Sequence, residues 1–357
     1  MSEQQPNIVI DNGSSFIKCG FSGEEAPKSA FKNVISLTSE KVGEESEADL
    51  MHPIEQGIIK DYERMEKIWE YTFNQELRVP SDEKNILTSD ISNAPKISRE
   101  KITQIFFEKF NAQGLFICIR PMLSMYCLGK TNALVVQSGD DLTQVVPIFD
   151  GYFYPYTVTK SNLAGKCIND YLIKTMTESN EILSKLPVFD INKIATDIKE
   201  KLCRISLDYD KEIEDQTKNS MLYKLPDGTE FSLEKELFKC PEVIFEPKLN
   251  GIEKPGLGLL MYNSILKCEH EQRKELYSNV VLSGGNTLLT DFPDRITLEL
   301  QKLSSTSKPK VSAQGERRFT AWIGGSLIAG LSNFQQNWVT HSEYQEAGPQ
   351  IIHRKCF

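Results

Sequence analysis

The chain has no Cys-x-x-Cys pair, no apolar run long enough to span a membrane and no excess of basic charge. Each absence removes a class of function. Its eight cysteines (Cys19, Cys118, Cys127, Cys167, Cys203, Cys240, Cys268, Cys356) are scattered. Such spacing argues against a zinc site or a disulfide frame. It reads as buried thiols, plus one thiol in the tail, in a reducing compartment. A net charge of −9 and a pI near 5.2 argue against nonspecific nucleic-acid binding and against a polybasic membrane surface. The opening Met1-Ser-Glu-Gln-Gln-Pro6 lacks the apolar centre of a secretion signal. The expected partners therefore include no nucleic acid and no membrane, and the expected location is the cytosol.

What is present is a duplicated turn. Asp11-Asn-Gly-Ser-Ser-Phe-Ile-Lys18 follows the apolar run Asn7-Ile-Val-Ile10, and Gln137-Ser-Gly-Asp-Asp-Leu-Thr-Gln144 follows Ala133-Leu-Val-Val136. A second β-type run follows each turn: Phe16-Ile17 in one case, Val145-Val-Pro-Ile148 in the other. Strand, glycine turn, strand, twice in one chain, is an arrangement that grips a nucleoside triphosphate between two lobes. Backbone N–H groups face phosphate oxygens, and glycine permits close approach. The 357 residues suit two lobes, since single cores seldom grow past about 250–300 residues. In the first turn Asp11 is placed to hold metal-bound water and Lys18 to meet the β- and γ-phosphates. The second turn has an amide, Gln137, at the matching carboxylate position.

The spacing of apolar residues predicts a β-meander over 7–36 and an exposed acidic loop over 37–52. It predicts helices over 61–76, 98–110, 121–128, 164–178, 191–207 and 321–331, with a further helix starting at 262. A polar stretch is expected around 215–220, and Lys224–Phe231 reads as a hairpin through Asp227-Gly228. Residues 249–260 read as a Gly/Pro-rich loop. Val280–Leu288 reads as a strand, a paired-glycine turn and a helix start, whose N-terminus is a plausible anion contact.

Val9-Ile-Asp-Asn-Gly-Ser, Pro53-Ile-Glu-Gln-Gly-Ile-Ile, Met65-Glu-Lys-Ile-Trp and Arg99-Glu-Lys-Ile-Thr-Gln-Ile occur in this order along the chain. Leu282-Ser-Gly-Gly, Trp322-Ile-Gly-Gly-Ser, Ala347-Gly-Pro and the tail His353-Arg-Lys-Cys-Phe follow. Through these segments the chain resembles the actin family over essentially its full length. The resemblance implies an α/β, two-lobed actin-like ATPase fold: duplicated ribonuclease-H-like domains around a nucleotide cleft. Residues 1–128 and 319–357 would form the first lobe, with a shortened small subdomain at about 34–53. Residues 129–318 would form the second, with an inserted small subdomain at about 166–250.

The implied cofactor is ATP or ADP with Mg2+ or Ca2+. Asp11, Gly13, Ser14, Ser15 and Lys18 would serve it from the first turn, and Ser138, Gly139 and Asp140 from the second. Gly165, Lys199, Glu200, Gly284, Gly285 and Arg318 would line the base, ribose and phosphate wall, with Asp11 meeting the metal through water. Arg318 stands where the family has a lysine, and Leu289 replaces an aromatic residue. The positions that in the family orient the attacking water and order the metal shell match Arg120, Gln144 and Gln137. An arginine cannot take a proton from water, and a neutral amide is a poor replacement for a carboxylate. Asp141 replaces the turn glycine beside the γ-phosphate. Two unit charges at about 4 Å repel by roughly 4 kcal/mol at an effective dielectric near 20. Arg120 either offsets that repulsion or pairs with Asp141 and shuts the site. Gln56 stands at the family's modified histidine near the phosphate exit, and Lys160 and Lys166 replace exit-path arginines.

The segment 37–52 is shorter than the family's subunit-gripping loop. At the opposite end Tyr126, Gly129, Thr131, Ile323, Leu327, Ile328 and Leu331 match an apolar groove that accepts a neighbour's loop or an amphipathic helix. Asn333 and Asn337 sit at its rim, and 251–260 matches the cross-strand plug. The reading is a divergent actin-like cytoskeletal protein, a pseudo-ATPase in a short filament or fixed complex. The expected partners are actin-like subunits or actin-binding proteins. The expected location is cytoplasm and cytoskeleton, with nucleus and cilium open. The alternative is a conventional ATP-hydrolysing, polymerising actin.

Overall fold

Ile8-Val-Ile-Asp-Asn12 is buried at every position, the mark of a strand covered on both faces. This strand, β1, pairs antiparallel with β2 (Phe16–Phe21), which pairs antiparallel with β3 (Ser29–Lys32). The structure, a computed structural model, describes residues 6–36, 41–43, 50–82, 84–180, 183, 185–215, 220–225, 227–305 and 307–356. After β3 come the short strands β4 (Ile35–Ser36), β5 (Leu50–Met51), β6 (Ile54–Glu55) and β7 (Ile58–Ile59). Then β8 (Asn85–Asp90) runs parallel to β1, and β9 (Gly114–Ile119) runs parallel to β8.

The second half repeats the plan. Strands β10 (Ala133–Ser138) and β11 (Thr143–Ile148) form an antiparallel hairpin, edged by β12 (Thr159–Ser161). After a two-stranded hairpin of β13 (Met221–Lys224) and β14 (Glu230–Leu233), β15 (Val280–Ser283) pairs parallel with β10. It also pairs parallel with β16 (Val311–Ser312), while β17 (Val339–Thr340) returns to the edge of β9. The sheet orders are β17-β9-β8-β1-β2-β3 and β12-β11-β10-β15-β16, so a hairpin and a parallel neighbour recur in each. A mixed α/β fold with two such sheets is the two-lobed architecture expected.

Two helices connect the sheets. Arg120–Tyr126 leaves the end of β9 with Pro121 in its first turn, where the missing N–H costs nothing. It crosses Thr320–Gly330 at Gly324, whose added Cβ would lie 1.8 Å from the Leu123 carbonyl oxygen. Only glycine permits that approach. The hydroxyls of Ser124, Ser283 and Thr320 interlock beside the crossing, with Ser283 2.9 Å from each of the other two. Trp322 Nε1 donates to the Val9 carbonyl at 3.1 Å, locking this helix onto β1.

Several elements depart from the sequence reading, each for a local reason. The helix expected over 98–110 spans Lys96–Glu108, because Pro95 fixes its entry. Residues 61–76 form an α-helix Tyr62–Tyr71, capped by the Asp61 side chain, that widens into a π-helix at Thr72–Leu77. The helix expected over 191–207 is Val188–Lys201. It stops because Arg204 and Ile205 donate their N–H groups to Leu237 and Thr290 instead. The Gly/Pro loop ends early, with a helix at Leu257–Leu266. Gly258 lies inside it because a Cβ would stand 2.5 Å from Glu299 Oε2. After Gly284 there is no α-helix N-terminus but one 3-10 turn, Gly285–Leu288.

The tail thiol is a buried one. Cys356 Sγ accepts from the Ile117 N–H at 3.3 Å, and its carbonyl accepts from Arg99. Cys127 and Cys167 are the half-buried pair. Of the expected loop over 37–52, residues 37–40 and 44–49 lie outside the described residues. At its described ends Leu50–Met51 pairs with Ile35–Ser36, and Val42 bridges to Ile35, so these parts are sheet. Residues 216–219 of the expected polar stretch also lie outside the described residues. The hairpin through Asp227-Gly228 forms with the expected strands.

Candidate functional site

The two hairpin turns face each other across a cavity of about 520 Å³, within the range of small-molecule and cofactor sites. Asp11 and Lys18 are cross-strand partners in the first hairpin, and Gln137 and Gln144 hold the same places in the second. The residue types at these matched positions decide the chemistry of each wall.

On the first wall Lys18 Nζ donates to Asp11 Oδ2 at 2.9 Å, and Ser89 Oγ donates to Asp11 Oδ1 at 2.7 Å. Arg120 adds a third contact, its Nε 3.7 Å from Asp11 Oδ1. Burial alone would raise the Asp11 carboxyl. The Lys18 and Arg120 charges, with the Ser89 hydroxyl, outweigh burial and hold it below the ordinary carboxylate value. Asn12 is fixed behind it: its N–H donates to Ser89 Oγ, its amide donates to Thr88, and its carbonyl accepts from Trp69 Nε1. Gly13 turns the chain with its N–H shared between the Asp11 and Phe16 carbonyls, while Asn33 bonds its own carbonyl.

On the second wall the charged pair is replaced by an amide pair. Gln144 Nε2 donates to Gln137 Oε1 at 2.6 Å, and Gln144 Oε1 accepts from the Ser92 N–H at 3.3 Å. Gln144 is 1% exposed and does not reach the cavity. Gln137 lines the cavity with its amide oxygen taken by Gln144, and neither side chain carries charge.

Asp141 provides the bridge between the walls. Its Oδ1 accepts from Ser14 Oγ at 2.6 Å and its Oδ2 from the Gln56 backbone N–H at 2.5 Å. Gln56 adopts φ +48°, a left-handed backbone that turns its N–H toward this carboxylate. The alternative in which Arg120 pairs with Asp141 is not the arrangement found: Arg120 leans on Asp11, and its buried Nε has no hydrogen-bond partner. Two further contacts cross nearby, Lys160 Nζ to the Ser92 carbonyl and Asn93 to the Pro155 carbonyl at 2.9 Å.

The remaining predicted residues divide clearly. Ser15, Gly139, Asp140, Lys199, Glu200, Gly284, Gly285 and Arg318 line the cavity with those above. Ser138 does not: it is fully buried, with its hydroxyl bonded to Thr143 and to Asn286 Nδ2. Gly165 also stands behind the wall, its carbonyl accepting from Lys199 Nζ at 3.2 Å. Burial pushes the Lys199 ammonium below its ordinary value, with Asp140 and Glu200 opposing. Gly284, at φ +95°, passes so close to Ser138 that a Cβ would lie 2.2 Å from its carbonyl oxygen. Gly285 faces open space. Arg318 lies 3.8 Å from Glu200 across the outer wall, beside the buried Leu289.

Sequence reasoning missed Ser89, Asn33 and Asn286. The last had a signal, since it directly follows the paired glycines. Ser89 and Asn33 had none, because they act from other segments, Ser89 from β8 and Asn33 from the link between β3 and β4.

A nucleotide fits this site. The volume is adequate, Gly285 leaves room against the wall, and the Arg120 side chain in the lining is a cation suited to an anion. The protein itself gives a divalent cation a poor seat: both Asp11 oxygens are engaged with two cations beside them and the opposite residue is the neutral Gln137, so the charged oxygens would have to come from the nucleotide's phosphates. Among the described residues no group of three or more His, Cys, Asp or Glu could hold a metal ion.

At the far end of the connecting helices, Leu327 and Leu331 are half exposed, 49% and 51%. Tyr126, Ile323 and Ile328 pack beside the central core, and Gly129 and Thr131 are exposed at the rim. Asn333 is exposed, so it carries no cost of a buried amide; Asn337 is half-buried. Among the described residues no helix is long and apolar enough to cross a membrane.

The sequence model of the family described as Actin matches residues 2–357.

Proposed function

The chain belongs to the actin family, and from that premise we propose that it is a nucleotide-binding cytoskeletal subunit with little or no ATPase activity, working in a short filament or a fixed complex. The observation that carries this reading is the amide pair Gln137–Gln144, set where the first hairpin has the charged pair Asp11–Lys18. Positioning water in line with the β–γ bond needs a proton acceptor and a charged metal shell. This cleft offers one neutral amide, Gln137, with Gln144 bonded behind it, and an arginine. Nucleotide then acts as an adhesive between lobes rather than as fuel.

In this reading residues 1–128 and 319–357 form one lobe and 129–318 the other, which agrees with each sheet drawing its strands from one set. ADP or ATP would place its phosphates against Gly13, Ser14, Ser15, Gly139 and Arg120. Its ribose would lie near Asp140 and Glu200, and its base against Gly285, Leu289 and Arg318. The exposed Leu327 and Leu331 support a groove that seats an actin-like neighbour or the apolar face of a partner helix. The short 37–52 segment gives the other end little with which to grip the next subunit. The site of action would be the cytoplasmic cytoskeleton.

Sedimentation and electron microscopy of the pure protein under polymerising salt test the assembly part. Monomers or short oligomers are expected. Long helical filaments that grow from the pure protein would overturn it.

A further inference from the structure

The cleft already contains an anion and cations of its own. Asp141 reaches from the second turn to Ser14 Oγ and to the Gln56 N–H, one donor from the first turn and one from the segment above it. Ser14 and Asp141 line the cavity while Gln56 lies outside its lining, and the one carboxylate consumes both donors. A phosphate arriving at the same place would have to displace it and then sit against a like charge. On the opposite side Asp11, the acid best placed to attract a metal, is neutralised by Lys18 at 2.9 Å and Arg120 at 3.7 Å. The Arg120 Nε remains without a hydrogen bond although it is buried. The Arg120 side chain also lines the cavity, a fixed positive charge suited to a phosphate oxygen.

We propose that this cleft selects a nucleoside diphosphate bound without a divalent cation. The Asp141 carboxylate holds the place of a terminal phosphate, and the Arg120 guanidinium holds the place of the metal. The proposal rests on the reading that the cleft binds a nucleotide. It goes further in stating which phosphate chain is accepted and what neutralises it. The Asp141 contacts close the lobes whether or not a third phosphate is available, so closure is built into the chain instead of being set by the state of the nucleotide.

The test is calorimetric titration of the full-length, nucleotide-stripped protein with ADP and with ATP, each in excess Mg2+ and in excess EDTA. ADP is expected to bind at least about 10-fold tighter than ATP, and its affinity to be the same in both buffers. In Asp141→Asn, which keeps the side-chain shape, the preference should fall toward parity, and Asp141→Gly should behave alike. In Arg120→Gln, ADP binding should weaken in EDTA and recover with Mg2+. ATP binding as tightly as ADP to the wild type, or ADP binding lost in EDTA, would overturn the proposal while leaving a nucleotide cleft. Absence of binding by either nucleotide to the wild type and to Asp141→Asn would overturn the nucleotide reading itself.

Discussion

Replacing Arg120→Gln, Gln137→Asp and Gln144→His in an Asp141→Gly background is expected to raise ATP hydrolysis at least about 100-fold, the scale of one positioned proton acceptor. The four changes belong together because of the register. The new carboxylate at position 137 and the new imidazole at position 144 would face each other across the second hairpin, as Asp11 and Lys18 do across the first. The Gln137–Gln144 bond, which now ties both amides to each other and to Ser92, would be gone. Arg120→Gln removes a cation from Asp11, and Asp141→Gly releases the Ser14 and Gln56 donors. Groups that act as one unit give little singly, so each single change is expected to stay near the wild-type rate. Phosphate release at saturating Mg-ATP reads this. A fourfold variant that binds ATP and still releases no more phosphate than the wild type would show that the loss of catalysis lies elsewhere.

The second large effect concerns stability in the second lobe. Glu242 is fully buried, and Arg295 grips it with two donors at 2.9 and 2.5 Å. Arg295 also donates to the Ser206 carbonyl at 2.6 Å and to Glu299 at 2.8 Å, and its guanidinium lies 4.5 Å from the Phe245 ring centroid. One arginine thus fastens three chain segments. Arg295→Met leaves the Glu242 charge buried and unpaired, and is expected to cost about 3–5 kcal/mol. Glu242→Met strands the guanidinium and should cost a similar amount. The double replacement should recover much of the loss, since an apolar pair carries no desolvation penalty. Urea midpoints at unchanged slope measure this. Single variants within about 0.5 kcal/mol of wild type would contradict it, that being the ordinary range of surface substitutions.

The parts of the fold that were legible in the sequence are those set by local chemistry. Both hairpins announced themselves through glycine after an apolar run, and their equal spacing placed Asp11 opposite Lys18 and Gln137 opposite Gln144. The helix after Asp61 was legible from the helical spacing of Met65, Ile68 and Trp69, which form its buried stripe. Glycine misled the reading where it served packing: Gly258 lies within a helix because Glu299 leaves no room for a side chain. The paired glycines before Asn286 gave a single 3-10 turn because Gly284 passes tightly by Ser138.

The site shows the same limit. Residue types at the turns could be read, but their partners could not. The bond of Asp141 to Gln56 joins positions 85 residues apart and depends on a left-handed backbone at a residue that is not glycine. The choice of Arg120 between Asp11 and Asp141 is a matter of side-chain direction at the first turn of a connecting helix. Ser138 looked like a phosphate contact by its place in the turn, yet Thr143 and Asn286 draw its hydroxyl behind the wall.

The most direct test is a single-turnover assay: excess protein mixed with Mg-ATP labelled on the γ-phosphate, with free phosphate and the nucleotide retained by the protein both counted. A cleft that holds nucleotide without cutting it predicts no phosphate above the protein-free control, with the retained nucleotide chemically unchanged. A burst of phosphate equal to the bound ATP, with ADP left in the cleft, would contradict the account and return this chain to the hydrolysing members of its family.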